Sequence, residues 1–170
     1  LYWDPFKKEW CVATRAVPEA DMAINGFGDM TFRRLFEKCL YDTSVAAGIN
    51  KPRSEGFFTH SWFWQFTENL GKEWTFCFEI TSPENTVVVC YSDYRLTLLT
   101  TRNIQDGTEF LPQHDLFGVP VVKSHRLSTL DDILKFVSER DPKNHEGVVV
   151  QDGETGARNK IKNIGHLALS

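Results

Sequence analysis

The sequence predicts an α+β protein in which antiparallel strands are flanked by helices. Strand-forming residues surround turn residues near both ends of the chain, at residues 1–17 and 146–163, which is typical of hairpins. Apolar residues recur at helical spacing over residues 31–46 and 128–140. No linker rich in Gly, Ser and Pro divides the 170 residues. We therefore expect a single domain over residues 1–170.

The first half of the chain predicts a hairpin followed by two helices. Strands at residues 1–3 and 10–17 turn at Asp4-Pro5, and residues 18–29 contain the Pro, Asn and Gly of a loop. Thr31 is a suitable N-cap for a helix over residues 31–46. One apolar face of that helix comprises Phe32, Leu35, Phe36, Cys39 and Leu40. Residues 59–70 fit helix and strand periods in part, and the Leu70-Gly71 stop signal favours a helix.

The second half predicts three strands, one helix and a closing hairpin. The strands cover residues 74–81, 86–91 and 95–101, and the apolar run at residues 87–89 predicts burial on both faces. A helix is expected over residues 128–140, capped by Ser128. Its predicted buried stripe consists of Leu130, Ile133, Leu134 and Val137. The hairpin pairs residues 146–151 with 157–163 around Asp152-Gly153.

Composition excludes several classes of protein. No apolar run approaches the roughly 20 residues needed to cross a bilayer, so no membrane partner is expected. The cysteines Cys11, Cys39, Cys77 and Cys90 lack zinc spacing and lie in apolar stretches, which predicts reduced core thiols and a cytoplasmic location, or a nuclear one in a eukaryote. The net charge of −4 argues against non-specific nucleic-acid binding. Lys143, His145, Arg158, Lys160 and Lys162 form a basic cluster, for which a solvated surface is the default interpretation.

Three positions carry the residue types that nucleotide chemistry needs. Glu146 stands at the start of an apolar strand, and alternation sends Lys160 and Lys162 to one face of the strand that returns. Two adjacent ammonium groups repel each other unless water or a polyanion surrounds them, and a triphosphate with its magnesium would suit both lysines and the carboxylate. Glu79 lies within an apolar strand, where it is either on a solvent-exposed face or an acceptor for ribose hydroxyls.

These elements resemble a known set of motifs. Phe78-Glu79, Glu146-Gly147 and Lys160-Ile161-Lys162 are similar to motifs III, IV and V of the covalent nucleotidyltransferases, which comprise RNA ligases, DNA ligases and mRNA capping enzymes. Thr14-Arg15 resembles motif Ia. The string from Phe78 to Val89, with residues 96–103, most resembles the phage-type ATP-dependent RNA ligases. The resemblance extends from about residue 10 to 163, and four motifs in the right order are moderately specific.

The resemblance implies an antiparallel-sheet nucleotidyltransferase core of the ATP-grasp-like ligase type, with flanking helices. Its implied cofactors are ATP and Mg²⁺, and its implied partners are RNA ends, among them those of tRNA. Glu79 would bind the sugar, and Arg15 would position the nucleotide or the RNA end. Leu98 and Leu99 would wall the adenine pocket. Glu146 would help to hold the catalytic metal, and the phosphates would be contacted by Lys160 and Lys162.

The nucleophile of that family has no counterpart in the sequence. The family forms a lysyl–AMP adduct on the lysine of a K-x-D/N-G motif just before the first hairpin, and none of the lysines here has the required following residues. We therefore expect the 170 residues to be a part of a ligase whose lysine lies upstream, inactive by itself. There are three alternatives. They are a lysine-less relative that binds nucleotide or RNA, a DNA ligase or capping-type enzyme, and an unrelated α+β protein with chance matches.

Overall fold

A computed structural model describes residues 1–22, 24, 28–53, 57–83 and 91–168. The chain forms two compact units, one of Leu1–Glu84 and Asp93–Val122 and the other of Asn85–Ser92 and Lys123–Ser170. Within the described ranges, helices are combined with antiparallel sheets, which confirms the α+β class. In the same ranges, no helix has the length and apolar character required to span a membrane.

Among its described residues, the first unit contains two antiparallel sheets and two helices. Its elements in chain order are β1 (Tyr2–Asp4), β2 (Glu9–Cys11), α1 (Phe32–Ala46), α2 (Phe57–Glu68), β3 (Trp74–Thr81), β4 (Arg95–Asn103) and β5 (Glu109–Phe110). β1 pairs with β2, and β3, β4 and β5 form the second sheet in that order. The backbones of Leu1 and Phe76 exchange two hydrogen bonds of 2.9 Å, so the two sheets adjoin.

The core of the first unit lies between the helices and one face of the β3–β4 sheet. Burying large apolar side chains is the dominant favourable term in folding. The largest of those that are fully buried are Phe63, Phe66, Leu40, Leu96 and Leu98. The Thr43 hydroxyl of α1 accepts a 2.9 Å hydrogen bond from the backbone N–H of Leu96, which fixes β4 against the helix. Between the helices, the buried carboxylate of Glu37 contacts both Arg33 (3.1 Å) and His60 (3.2 Å).

Several predictions for the first unit are confirmed. α1 begins at the predicted cap, where the Thr31 hydroxyl accepts from the backbone N–H of Arg34, and β3 has the predicted bounds. The second strand was predicted to reach residue 17, but β2 ends at Cys11 because the chain then forms a turn closed by Thr14 and Val17. Cys77 is exposed, contrary to the prediction of a core thiol, because it lies on the outer face of β3. Most of the strand predicted at residues 86–91 lies outside the described residues.

In the part of the second unit that the structure describes, a hairpin is combined with two helices. Its elements are α3 (Leu130–Ser138), β6 (Gly147–Gln151), β7 (Arg158–Lys162) and the short α4 (Ile164–Leu167). The cap of α3 is Thr129, not the predicted Ser128, because the Thr129 hydroxyl accepts from the backbone N–H of Asp132 at 3.1 Å. Of the predicted buried stripe, only Val137 is fully buried, and Leu130 and Leu134 are exposed. The small second unit covers only one end of that stripe.

Candidate functional site

The β6–β7 hairpin carries three of the predicted site residues, and its turn is built by one aspartate. Asp152 Oδ1 accepts hydrogen bonds from the backbone N–H groups of Glu154 (3.1 Å) and Thr155 (2.6 Å). The Asp152 N–H donates to the carbonyl of Ala157 at 2.8 Å, which closes the loop. Side-chain acceptors of this kind fix turns by replacing the missing ladder bonds. The turn sets the register in which Gly147 faces Lys162 and Val149 faces Lys160.

Gly147 allows the two strands to meet closely at the base of the hairpin. A Cβ at this position would lie 2.8 Å from Lys162 Cα and closer still to the carbonyl oxygen of Ile161. Only glycine fits such an approach of one backbone to another. The glycine of the Glu-Gly pair is therefore required by backbone packing. The close approach also places the carboxylate of Glu146 beside the lysines of β7.

The ammonium groups of Lys160 and Lys162 both contact the carboxylate of Glu146. Glu146 Oε1 lies 2.8 Å from Lys160 Nζ and 3.1 Å from Lys162 Nζ. The three side chains are 42%, 51% and 43% exposed, respectively, so a ligand in solvent can reach all of them. The predicted alternation is confirmed, because both lysines lie on one face and Ile161 lies on the other, half-buried. The arrangement is an anion-attracting pair of ammonium groups with one carboxylate between them.

The two lysines also set the charge state of the carboxylate. Hydrogen bonds from Lys160 and then from Lys162 lower the pKa of Glu146 below its ordinary value, so it is ionised at neutral pH. Burial, and secondarily the charge of Arg140, lower the pKa of His145, which makes that ring neutral at pH 7. Within the described residues, Nδ1 of His145 is buried without a hydrogen-bond partner. Positive charge at this end of the hairpin therefore comes from the lysines and not from the histidine.

Replacing Lys160 with methionine is expected to raise the pKa of Glu146, because it removes the larger of the two interactions that lower it. Lys162→Met should raise the same pKa by less. The lowered pKa also means that the ion pairs stabilise the hairpin above the ordinary carboxyl value of 4.5 and are lost as the pH falls through the folded-state pKa. An NMR titration of the Glu146 side-chain carboxyl carbon measures this pKa in the wild type and in both variants. Equal pKa values in both variants and the wild type would contradict the assignment.

Glu79 lies in the first unit, on the exposed face of β3. Phe76, Phe78 and Ile80 alternate with it and pack toward the core. Glu79 pairs across the ladder with Thr97 and, like Cys77, faces away from that core. The structure places Glu79 on the exposed face of a half-buried strand, and its role as an acceptor for ribose hydroxyls stays a prediction. This position avoids the cost of burying a carboxylate.

A β-bulge separates the two leucines that were predicted to wall an adenine pocket. The register shifts between Cys77 and Phe78, so that Leu98 pairs with Phe78 and Leu99 has no partner on β3. Leu98 is only 1% exposed and belongs to the core, and its backbone hydrogen-bonds residues 120 and 122. Its side chain therefore packs in the core against the inner face of the sheet. Leu99 is half-buried and, of the two leucines, it is the one that a ligand could reach.

Arg15 is exposed in the turn that follows β2. Thr14, next to it, helps to line a cavity of about 70 Å³ with Phe36, Phe78 and Ile80. The cavity lies on the core side of β3, opposite Glu79, and is far smaller than the several hundred Å³ typical of ligand sites. We therefore do not assign it to an adenine base. Glu79, Leu99 and Arg15 are separate surface groups of the first unit, and the Glu146 cluster belongs to the second unit.

Two residues of the hairpin region were not singled out from the sequence. Arg158 precedes Lys160 by two positions and was assigned only to a general basic cluster, although the R-x-K-x-K spacing is visible. Asn163 is buried, and its side-chain nitrogen donates to the carbonyls of Val137 (3.0 Å) and Arg140 (3.1 Å). Its backbone N–H donates to the carbonyl of Glu146 at 2.7 Å. Asn163 thus holds the base of the hairpin against the end of α3.

No protein-family model matches the chain, and no curated protein matches it either.

Proposed function

We propose that the chain is part of the nucleotidyltransferase domain of an ATP-dependent RNA ligase, which joins RNA 5′-phosphate and 3′-hydroxyl ends through a lysyl–AMP intermediate. The adenylated lysine is not among the 170 residues, since none of them fits the K-x-D/N-G motif. The role of the chain is to bind ATP·Mg²⁺ and to stabilise charge on the transferred phosphate. Glu146, Lys160 and Lys162 are the catalytic residues in this proposal.

The observation that carries the proposal is the contact of both lysines with one accessible carboxylate. Lys160 and Lys162 each lie within about 3 Å of Glu146 Oε1, although a single carboxylate neutralises only one of the two charges. The remaining positive charge favours an anion at this point, and a triphosphate is a polyanion of the right kind. Ammonium groups placed where charge develops on an α-phosphate lower the barrier to transfer.

The residues of the hairpin also fit a magnesium ion. Mg²⁺ is usually held by one or two carboxylates together with substrate phosphates and water, and Glu146 supplies an exposed, ionised carboxylate beside the phosphate-binding lysines. When bound, the ion would neutralise phosphate charge and act as a Lewis acid. The contribution of the chain is to keep Glu146 deprotonated and to orient Lys160 and Lys162 toward the same phosphates.

Groups of the first unit supply the other contacts in this proposal. Glu79, on the exposed face of β3, would accept hydrogen bonds from the ribose hydroxyls. Leu99 would contact the base through its half-buried side chain, with Leu98 supporting it from the core. Arg15, exposed after β2, would contact the nucleotide or the RNA end. Guanidinium and phosphate match each other in geometry and charge.

Titration calorimetry with ATP and Mg²⁺ tests the proposal on the 170-residue chain. We expect the wild type to bind, and Lys160→Ala with Lys162→Ala to weaken binding by at least tenfold, which corresponds to about 1.4 kcal/mol. Lys135→Ala is the matched control, because this lysine of α3 is 73% exposed and pairs only with Glu139 among the described residues. It should bind ATP as the wild type does. No binding by the wild type would overturn the proposal.

The same chain should form no covalent adduct with labelled ATP that survives denaturing electrophoresis at alkaline pH, because the nucleophilic lysine lies outside it. An adduct mapped to any of its lysines would contradict the placement of the nucleophile. A non-catalytic relative that binds nucleotide or RNA is the second candidate, and the missing K-x-D/N-G motif favours it. The coding sequence upstream of Leu1 separates the two candidates: the motif there supports the ligase, and its absence supports the binding protein.

A further inference from the structure

A histidine between α1 and α2 has a different partner at each nitrogen of its ring. Nδ1 of His60, on α2, lies 3.2 Å from Oε1 and 3.4 Å from Oε2 of Glu37, on α1. Nε2 of the same ring accepts a 2.9 Å hydrogen bond from the indole N–H of Trp64, one turn later on α2. The two rings meet edge to face with their centroids 5.8 Å apart. The imidazole therefore joins the helices through Nδ1 and orients a tryptophan through Nε2.

These partners are compatible with one protonation state of the ring. The indole nitrogen of Trp64 can only donate, so Nε2 of His60 must offer a lone pair. The carboxylate of Glu37 accepts, so Nδ1 must carry the proton. The geometry therefore requires a neutral imidazole whose proton is on Nδ1.

A second proton on the ring would affect the two contacts in opposite ways. An imidazolium donates from both nitrogens and accepts at neither, so the indole N–H of Trp64 would lose its acceptor. The contact with Glu37 would become a charge-assisted hydrogen bond, which is stronger than the neutral one. The His60 side chain is 54% exposed and Trp64 is 38% exposed, so water can reach the imidazole and the indole can turn toward solvent.

Within the described residues, the charged groups that face the ring come from α1. Glu37 is buried and favours a positive charge on His60, whereas Arg33 opposes it, since its Nε lies 3.1 Å from the same Glu37 oxygen. The Arg33 guanidinium is also held over the ring of Phe63, 4.8 Å from its centroid. Protonation of His60 therefore adds one positive charge to an ion pair that is neutral by itself.

We propose that His60 is a pH-sensitive switch, which holds Trp64 in place when its ring is neutral and releases the indole when the ring gains a proton. Imidazole is the side chain that ordinarily changes charge between about pH 5 and 8. At the acidic end of this range the link from α2 to Glu37 is strengthened while Trp64 is freed. None of these residues belongs to the Glu146 cluster, so the switch is independent of the proposed function.

NMR of the 170-residue chain with ¹⁵N-labelled His and Trp tests the proposal. At the alkaline end of the range, long-range ¹H–¹⁵N spectra should show His60 as the tautomer protonated on Nδ1. On acidification, the Nε2 signal of His60 and the indole N–H signal of Trp64 should move together with one midpoint, and the indole proton should move upfield as its hydrogen bond is lost. Trp64→Phe assigns the indole signal. His60→Gln assigns the imidazole and should abolish the response of Trp64, because an amide does not titrate.

His114→Gln is the matched control, because His114 is an exposed histidine of the same unit in another segment. It should leave the response of Trp64 unchanged, with circular dichroism confirming that each variant is folded. A neutral His60 protonated on Nε2 would overturn the proposal without any substitution. A Trp64 signal that does not follow the titration of His60, or that keeps its response in His60→Gln, would overturn it as well.

Discussion

Replacing Gly147 with alanine is expected to separate the base of the β6–β7 hairpin and to disperse the Glu146 cluster. The added Cβ would lie 2.8 Å from Lys162 Cα and 3.0 Å from the carbonyl carbon of Ile161. The obstacle is backbone, which cannot move aside as a flexible side chain can. Overpacking of this kind costs about 3 kcal/mol. Hydrogen exchange of the Val148 and Val150 amides should accelerate about a hundredfold, at 1.36 kcal/mol for each tenfold change.

Gly153→Ala provides the control for this prediction within the same hairpin. A Cβ at Gly153 would meet nothing within 4 Å, and the residue lies in the turn at the far end from Glu146. Its exchange rates should match those of the wild type. The pKa of Glu146 should also return toward its ordinary value in Gly147→Ala, because the hydrogen bonds from Lys160 and Lys162 would be lost. Wild-type exchange rates in Gly147→Ala would contradict the prediction, because they would show that the ladder accommodates the added Cβ without opening.

The sequence predicted those elements whose signals are local. α1 begins at Thr31 because a hydroxyl cap and an apolar face with 3.6-residue spacing coincide there. In α3, adjacent hydroxyl residues compete for the cap, and the pattern could not distinguish Ser128 from Thr129. The turn at Asp152 was predicted from residue type, and alternation predicted that the two lysines share a face. The position of Glu146 beside them also depends on the close approach of the strands at Gly147.

Features that depend on tertiary packing were not predictable. The bulge at Leu99, which shifts the register of β4 against β3, has no signal in the residue pattern. The exposure of Cys77, Val149 and Leu134 reflects how little structure covers each element, which no residue pattern encodes. Gly147 was part of a motif match, but its steric role is visible only once β7 is opposite it.

Glu146→Gln is expected to raise the affinity for a polyphosphate in the absence of Mg²⁺ and to remove the gain in affinity that Mg²⁺ gives. Glutamine keeps the shape of the side chain and removes the charge that pairs with both Lys160 and Lys162. In the wild type, an incoming phosphate must displace this carboxylate from the lysines. Exposed ion pairs contribute about 0.2–1 kcal/mol each, so their removal should raise the affinity for tripolyphosphate without metal about fivefold. The two unneutralised ammonium groups favour the same result.

With Mg²⁺ present the effect should reverse, because the carboxylate is the group that would help to hold the ion. The gain in ATP affinity that Mg²⁺ gives the wild type should disappear in Glu146→Gln. Glu154→Gln removes the same charge from the neighbouring turn and should behave as the wild type in both assays. Calorimetry with tripolyphosphate, and with ATP at several Mg²⁺ concentrations, measures both effects. A variant that loses affinity for metal-free tripolyphosphate would show that Glu146 organises the lysines for the anion instead of competing with it.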